Sequence, residues 1–311
     1  MNFLKGIRVV ELGGSGPGPM CGYILQDFGA HVTRIVNTNV IIKFSNYPSS
    51  FQAPIMDNFL STKKNNIPLN LKESKDLSKI KRMILESDVL IDPMRPGKLE
   101  KYSLNPDELT KTNERLIIAR ISNHGQPENN EEVNKLDKAR PGHEINCMAE
   151  SGALWFMIPN EIKEDESIHI PALFVGDMAG GALPAAFGIA LSLFNREKTG
   201  RGSVCLIMEY YNSGFLIIDS SITRGFLYAT SLLHVSRQVA HNDYKRWKKN
   251  ACLLPKSGMT MWPNLEVKGK NFLDGGAPFY RIYKTKDDKF IAVGAIEPDV
   301  YLKFVKVRHF F

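Results

Sequence analysis

Residues 7–12 form a near-continuous apolar run closed by a glycine-rich loop at 13–18, a pattern that predicts a buried strand followed by a sharp turn. Residues 20–28 then carry apolar side chains at helical spacing, and 31–36 return to a β-branched run, so the chain opens as strand, helix, strand. Residues 74–86 have the spacing of an amphipathic helix behind Ser74, which reads as its cap. Two more apolar runs, 89–92 and 116–122, predict further buried strands. Strands that are apolar throughout, and not only at every second position, are covered on both faces. Their alternation with helices predicts an α/β fold, a Rossmann-like domain with a doubly wound parallel sheet.

From about residue 142 the pattern changes to longer helices. Residues 177–196 predict a long helix whose small residues, among them Gly180, Gly181 and Ala182, permit close packing, with a stop at Gly200-Arg-Gly202. Residues 209–227 predict another long helix, and 223–270 are basic, proline-containing and poorly patterned. Residues 279–293 alternate as two short strands.

A chain of 311 residues is long enough to bury a sizeable core. The apolar runs at 183–194 and 215–222 are interrupted by Gly, Ser and Asp and fall short of the roughly 20 residues of a bilayer crossing, so buried helices and no membrane span are expected. Residues 1–8 feed directly into the first strand without the pattern of a secretory signal. Cys21, Cys147, Cys205 and Cys252 are scattered without a CxxC or CxH spacing, as in an intracellular protein with reduced thiols, and no metal site is expected. The net charge of +7 gathers partly at 245–249 and 303–308, and clusters of this kind are mostly solvated faces. No nucleic-acid-binding motif accompanies it, so no nucleic acid partner is expected.

The loop at 13–18 follows a strand as a dinucleotide-binding turn would. Pro17 and Pro19 remove amide donors from it, however, and the second strand ends at Asn37 and not at an acid suited to an NAD ribose. A Rossmann-like fold without NAD is the expectation.

Four constellations carry the candidate chemistry: Pro141-Gly-His-Glu-Ile-Asn146, Gly176-Asp-Met-Ala-Gly-Gly181, Asn271-Phe-Leu-Asp-Gly-Gly-Ala-Pro278 and Gly294-Ala-Ile-Glu-Pro298. Taken singly, each has an ordinary reading. Asp177 suits a helix N-cap, His143 a cap or core position, and Glu297 a solvated strand end. Taken in order, and with Leu4-Lys-Gly-Ile-Arg-Val-Val-Glu-Leu12 and Gly16-Pro-Gly-Pro19, they resemble the class III CoA-transferase (CaiB/BaiF) family and, within it, the α-methylacyl-CoA racemase branch. The resemblance runs from Leu4 to about Tyr301. By that family resemblance, the expected organisation is a large Rossmann-like domain over 1–210, a linker and insertion over 211–270, and part of a smaller α+β domain over 271–311.

That resemblance implies racemisation of 2-methyl-branched acyl-CoA thioesters by 1,1-proton transfer through an enolate. An α-proton beside a thioester is weakly acidic, so its transfer needs a base on one face, an acid on the other and donors for the enolate oxygen. By resemblance His143 and Asp177 are the two proton-transfer residues, Glu297 partners His143, and backbone amides at the helix start beside Asp177 face the enolate oxygen. Lys72 and Arg95 are implied as CoA phosphate contacts, and the loop 122–126 as ligand-facing. Coenzyme A belongs to the substrate, and no cofactor is expected.

The sequence departs from the family at Asn37, Asn123, Leu173 and Leu206, positions that bear on CoA affinity and on the surroundings of the aspartate. Two alternatives stand beside racemisation: CoA transfer with Asp177 as nucleophile, and a weakly active or inactive racemase homologue. Family members continue beyond Gly-Ala-Ile-Glu-Pro and return to the large domain. The expectation is therefore a fragment or splice variant lacking that segment, with an interlocked homodimer forming at full length. The resemblance places such proteins in mitochondria or peroxisomes, and no targeting signal is visible here.

Overall fold

The computed structural model describes residues 2–14, 16–36, 59–126, 143–157, 175–202, 217–222, 277–287, 290–295 and 298–307. The chain divides into two compact units: Met1–Leu154 with Ala172–Ala229, and Trp155–Pro171 with Thr230–Phe311.

The first unit is built on six strands, β1 (Arg8–Leu12), β2 (His31–Val36), β3 (Asn65–Pro68), β4 (Val89–Asp92), β5 (Ile117–Ser122) and β6 (Ile217–Ser221). They lie in the order β3-β2-β1-β4-β5-β6, every neighbouring pair parallel, which is the doubly wound arrangement expected from the alternating pattern. Val9 stands opposite Val32 on one side and Val89 on the other, and Val89 opposite Ile117. Successive strand residues serve opposite faces: Val9, Ile91 and Ile117 join one core cluster, Val10, Leu90 and Ile118 the other. Two covered faces explain why these strands read as continuous apolar runs.

The helices α1 (Pro17–Asp27), α2 (Ser74–Leu85), α3 (Glu144–Glu150) and α4 (Leu183–Thr199) accompany the sheet. Leu25 of α1 and Ala185 and Ile189 of α4 pack on the face of Val9, whereas Ile80 and Ile84 of α2 pack on the face of Val10. Helix α1 starts three residues earlier than its apolar spacing suggests, because Pro17 fits a first helical turn, where its missing N–H would have had no partner. Ser74 is not the cap of α2. Glu73 holds the extended cap conformation without a side-chain cap bond, and the Asp76 carboxylate instead accepts the Asn70 N–H at 2.9 Å.

Two parts of the sheet differ from the sequence expectation. The stretch 209–227 read as a helix, yet Ile217–Ser221 is a strand whose Ile217 pairs with Ile118 and whose Ser221 pairs with Ser122; the rest of that stretch, apart from Ile222, lies outside the described residues. A strand of only five residues, Ile-Ile-Asp-Ser-Ser, carries too little period to separate strand from helix. The edge strand β3 was not expected either, being a four-residue Asn-Asn-Ile-Pro segment with little apolar signal. The poorly patterned stretch 223–270 lies outside the described residues.

The helix expected at 177–196 is present over Asp177–Thr199, but its first six residues, Asp177–Ala182, are π-helical. It closes at Gly200 with φ of 70°, the left-handed cap that the glycine stop implies. This helix of 23 residues is long and apolar enough to cross a membrane, and 50% of its most apolar window is buried against the rest of the chain. Its contacts with α1, β5 and β6 are those of a core helix.

In the second unit, β7 (Tyr280–Lys284) and β8 (Phe290–Gly294) form the expected antiparallel hairpin, Tyr280 opposite Gly294. Helix α5 (Pro298–Val307) follows, and Tyr301 meets the Phe279 ring edge-on at 5.0 Å.

A buried ion cluster ties the loop after β1 to the sheet. Glu11, fully buried in β1, accepts from Lys64 Nζ at 2.6 Å and lies 3.1 Å from Arg34 Nε. Lys64 also donates to the Pro19 carbonyl at 2.8 Å, and Arg34 to the Gly14 carbonyl at 3.1 Å and to Ser61 Oγ. Burial pushes the Lys64 ammonium toward neutrality, and the Glu11 carboxylate opposes that push. Removing one member of such a group leaves the other charges buried and poorly compensated. Lys64→Met is expected to lower stability by about 3 kcal/mol, read as a fall in the urea midpoint; an unchanged midpoint would show that Arg34 alone satisfies Glu11.

Candidate active site

In a doubly wound sheet the strand order reverses between the two central strands, here β1 and β4, and the loops leaving their C-terminal ends must diverge to opposite faces. A cavity of about 260 Å³ opens there. The loop after β1 supplies Gly14 and Pro17, the loop after β4 supplies Pro93 to Pro96, the end of β5 supplies Ile121 to Asn123, and Ile222 follows β6. His143, Glu144 and Asp177 complete the lining.

His143 is the N-cap residue of α3, in extended conformation, and its backbone N–H donates to Asn146 Oδ1 at 2.9 Å. The His-x-x-Asn spacing thereby fixes where the helix starts and where the imidazole leaves the backbone. Helix α3 is anchored in turn to the loop after β5: His124 Nδ1 lies 3.0 Å from Glu150 Oε2, and Cys147 Sγ contacts the Asn123 carbonyl at 3.7 Å. Asn123, where the family pattern carries glycine, both lines the cavity and takes part in this anchoring.

Asp177 begins the π-helical segment, a variant of the helix that is frequent at functional sites. The chain at Gly16 has φ of 70°, and a Cβ there would collide with Asp177 Oδ2. Glycine is needed at 16 on both counts, conformation and space. Burial, reinforced by the nearby Glu144 carboxylate, pushes the Asp177 carboxyl up from 3.8 to about 6. A carboxyl titrating there can both take and give a proton near neutral pH.

The main addition to the sequence expectation is Glu144. Its Oε1 accepts the Gly176 N–H at 2.5 Å and lies 3.4 Å from the Asp177 nitrogen, so the backbone amides expected to face an enolate oxygen at this helix start are turned toward a side chain. A Cβ on Gly176 would sit 2.8 Å from Glu144 Cγ and 3.0 Å from Met148 Cγ, so glycine at 176 is what lets the carboxylate approach. The sequence signal for Glu144 is its place immediately after His143, at the start of a helix. Ser122, in the loop expected to face the ligand, lines the cavity, and its buried hydroxyl has no hydrogen-bond partner among the described residues.

The structure thus brings His143, Asp177 and Arg95 to one cavity. Arg95 is exposed at the rim. Lys72 is exposed in the turn after β3 and is not part of the lining, its backbone N–H donating to Asn70 Oδ1 at 3.0 Å. Glu297, together with Asn37, Leu173 and Leu206, lies outside the described residues. Among the described residues no group of three or more His, Cys, Asp or Glu side chains is arranged to hold a metal ion.

Comparison with known proteins bears on the whole chain. Residues 4–238 match CoA-transferase family III. The α-methylacyl-CoA racemase of Mus musculus is 36% identical over 304 residues, which is 97% of this chain and 64% of the racemase, so the chain spans just under two thirds of that relative. A CaiB/baiF CoA-transferase family protein of Caenorhabditis elegans is 36% identical over 306 residues, 98% of this chain and 72% of its own length. Among solved structures, a hypothetical protein from Mycobacterium tuberculosis superposes with a TM-score of 0.62 at 20% identity, covering 98% of this chain and 69% of that one; it shares the fold. A family match over most of the chain, and relatives more than a third identical along nearly all of it, make this protein a member of CoA-transferase family III.

Proposed function

We propose that this chain carries the proton-transfer site of a racemase acting on 2-methyl-branched acyl-CoA thioesters. One member of the pair His143 and Asp177 removes the α-proton from one face. The electron pair moves into the thioester carbonyl to give an enolate, and the other member returns a proton to the opposite face. The observation that carries this reading is the sharing of one cavity by an imidazole and by a carboxyl titrating at about 6. The resemblance adds Glu297 as the partner of His143 and Lys72 and Arg95 as contacts to the CoA phosphates; the exposed rim position of Arg95 supports its part. Coenzyme A enters as part of the substrate, and proton transfer of this kind needs no further cofactor.

CoA transfer is the second reading, favoured by the name of the family itself. In it Asp177 attacks the thioester as an ionised nucleophile. An upward shift of its carboxyl lowers the ionised fraction as the medium becomes acidic, whereas proton transfer uses both forms. Family resemblance also supports a homodimer and a mitochondrial or peroxisomal site. For the dimer there is a further support: Leu183, Phe187, Leu191 and Phe194 are exposed along one side of α4 at helical spacing.

With a 2-methylacyl-CoA in deuterated water, the chain is expected to exchange the α-proton, followed by NMR, and His143→Ala and Asp177→Asn each to slow exchange by ~10²-fold or more. Exchange surviving both substitutions would sink the reading; acyl-CoA turnover that requires a carboxylate acceptor and proceeds without exchange would favour transfer. The rate is expected to fall as pH drops through about 6, because protonation of Asp177 removes the carboxylate that takes the α-proton on its face of the substrate. Sedimentation of a form carrying the relatives' full length should give a dimer that Phe187→Ser with Phe194→Ser converts to monomer; an unaltered dimer in the double variant would remove this face from the interface.

A further inference from the structure

The carboxylate of Glu144 has no place in the proton transfer just described, yet it is 8% exposed and sits beside both of its members. It follows His143 directly in sequence, in the first turn of α3. Through space it reaches the start of another helix, 32 residues on, where Gly176 donates to it at 2.5 Å. Charge-assisted bonds of this length are among the stronger ones in proteins, and here the acceptor also faces the positive end of the helix that begins at Asp177. No side chain at 176 would allow the approach, since even a methyl group there would press on Glu144 Cγ at 2.8 Å.

From this geometry we infer that Glu144 is a positioning residue for Asp177. Its Oε1 locks the helix start that presents Asp177 to the helix start that presents His143, and it confronts Asp177 with a second negative charge. The inference rests on reading Asp177 as a proton-transfer group. Two consequences separate within the one side chain. As an acceptor, Glu144 fixes the spacing of the pair, because each helix start is the point from which its functional side chain departs. As a charge, it opposes ionisation of Asp177, the second cause of the upward shift after burial.

Other charges around Asp177 define what must be held constant. His143 and Arg95 share its cavity. The first turns of α1 and α4 contain no ionisable side chain, and the ionisable residue of β5 is Arg120. Arg120 lies 3.4 Å from Glu100. A change confined to position 144 therefore leaves every one of these groups in place.

The two consequences are separable because glutamine keeps the accepting oxygen and drops the charge. The Asp177 carboxyl carbon is followed by NMR titration in the whole chain labelled with carbon-13 aspartate, its signal assigned by its loss in Asp177→Asn. In Glu144→Gln the Asp177 pKa is expected to fall by ~0.5–1 unit with the thermal midpoint unchanged, and the acidic limb of the exchange profile to move down with it. In Glu144→Ala the acceptor is lost as well, and kcat for α-proton exchange is expected to fall at least ~10-fold with KM little altered, as a misplaced reacting group requires. An Asp177 titration identical in wild type and Glu144→Gln, or a Glu144→Ala chain with wild-type kcat, would overturn the inference. If Glu144→Ala fails to fold, the titration of Glu144→Gln decides alone. A chain that shows the expected Asp177 shift but exchanges no proton would leave Glu144 in its role and reject the racemase reading instead.

Discussion

The loop leaving β1 passes so close to the helix that carries Asp177 that a side chain at Gly16 would have to occupy the position of the Asp177 carboxylate. The same loop and the first turn of α1 after it are held by the buried cluster of Glu11, Lys64 and Arg34, which binds the carbonyls of Gly14 and Pro19. Much else in the site follows from this approach. It seals one side of the cavity, takes Asp177 largely out of water, and so raises its carboxyl into the range where proton exchange is useful. The placing of Asp177 at the C-terminal edge of the sheet is thus linked to ion pairs in its interior.

Charge at this edge is handled differently from charge beneath it. Glu11 is matched by two cations and is structural, whereas Glu144 and Asp177 are two carboxylates brought near one another, with backbone amides relieving Glu144. Like charges so placed drive one of the two toward its protonated form. A fold gains nothing in stability from such a pair, which is why perturbed acids of this kind point to function.

Much of the sheet could be read from the chain because its central strands are apolar on both faces and are separated by helices with a clear period. The strands β1, β2, β4 and β5 and the hairpin β7 and β8 fall within a residue or so of their expected limits. Ile217–Ser221 reads as part of a helix because five residues carry too little period to choose, and only pairing with β5 decides. Asn65–Pro68 was missed since an edge strand has little to bury. For the site, His143 and Asp177 were legible through their motifs, each local to a helix start. Glu144 was not, for its meaning lies in a bond to Gly176 that no local pattern records. Lys72, named from its motif, is exposed in the turn after β3 and outside the cavity lining.

The π-helical turn at Asp177–Ala182 gives the helix two registers along one axis. Each residue of an ordinary α-helix advances the direction of its side chain by about 100°, so a single extra residue within a turn rotates everything before it relative to everything after it by about that angle. Asp177 points where it does relative to the core positions Ala185 and Ile189 because the chain spends that extra residue between them. The direction of the carboxylate is therefore encoded in a residue count. Deleting one residue between 178 and 182 would change no functional side chain, yet it would turn the acid away from the cavity it lines.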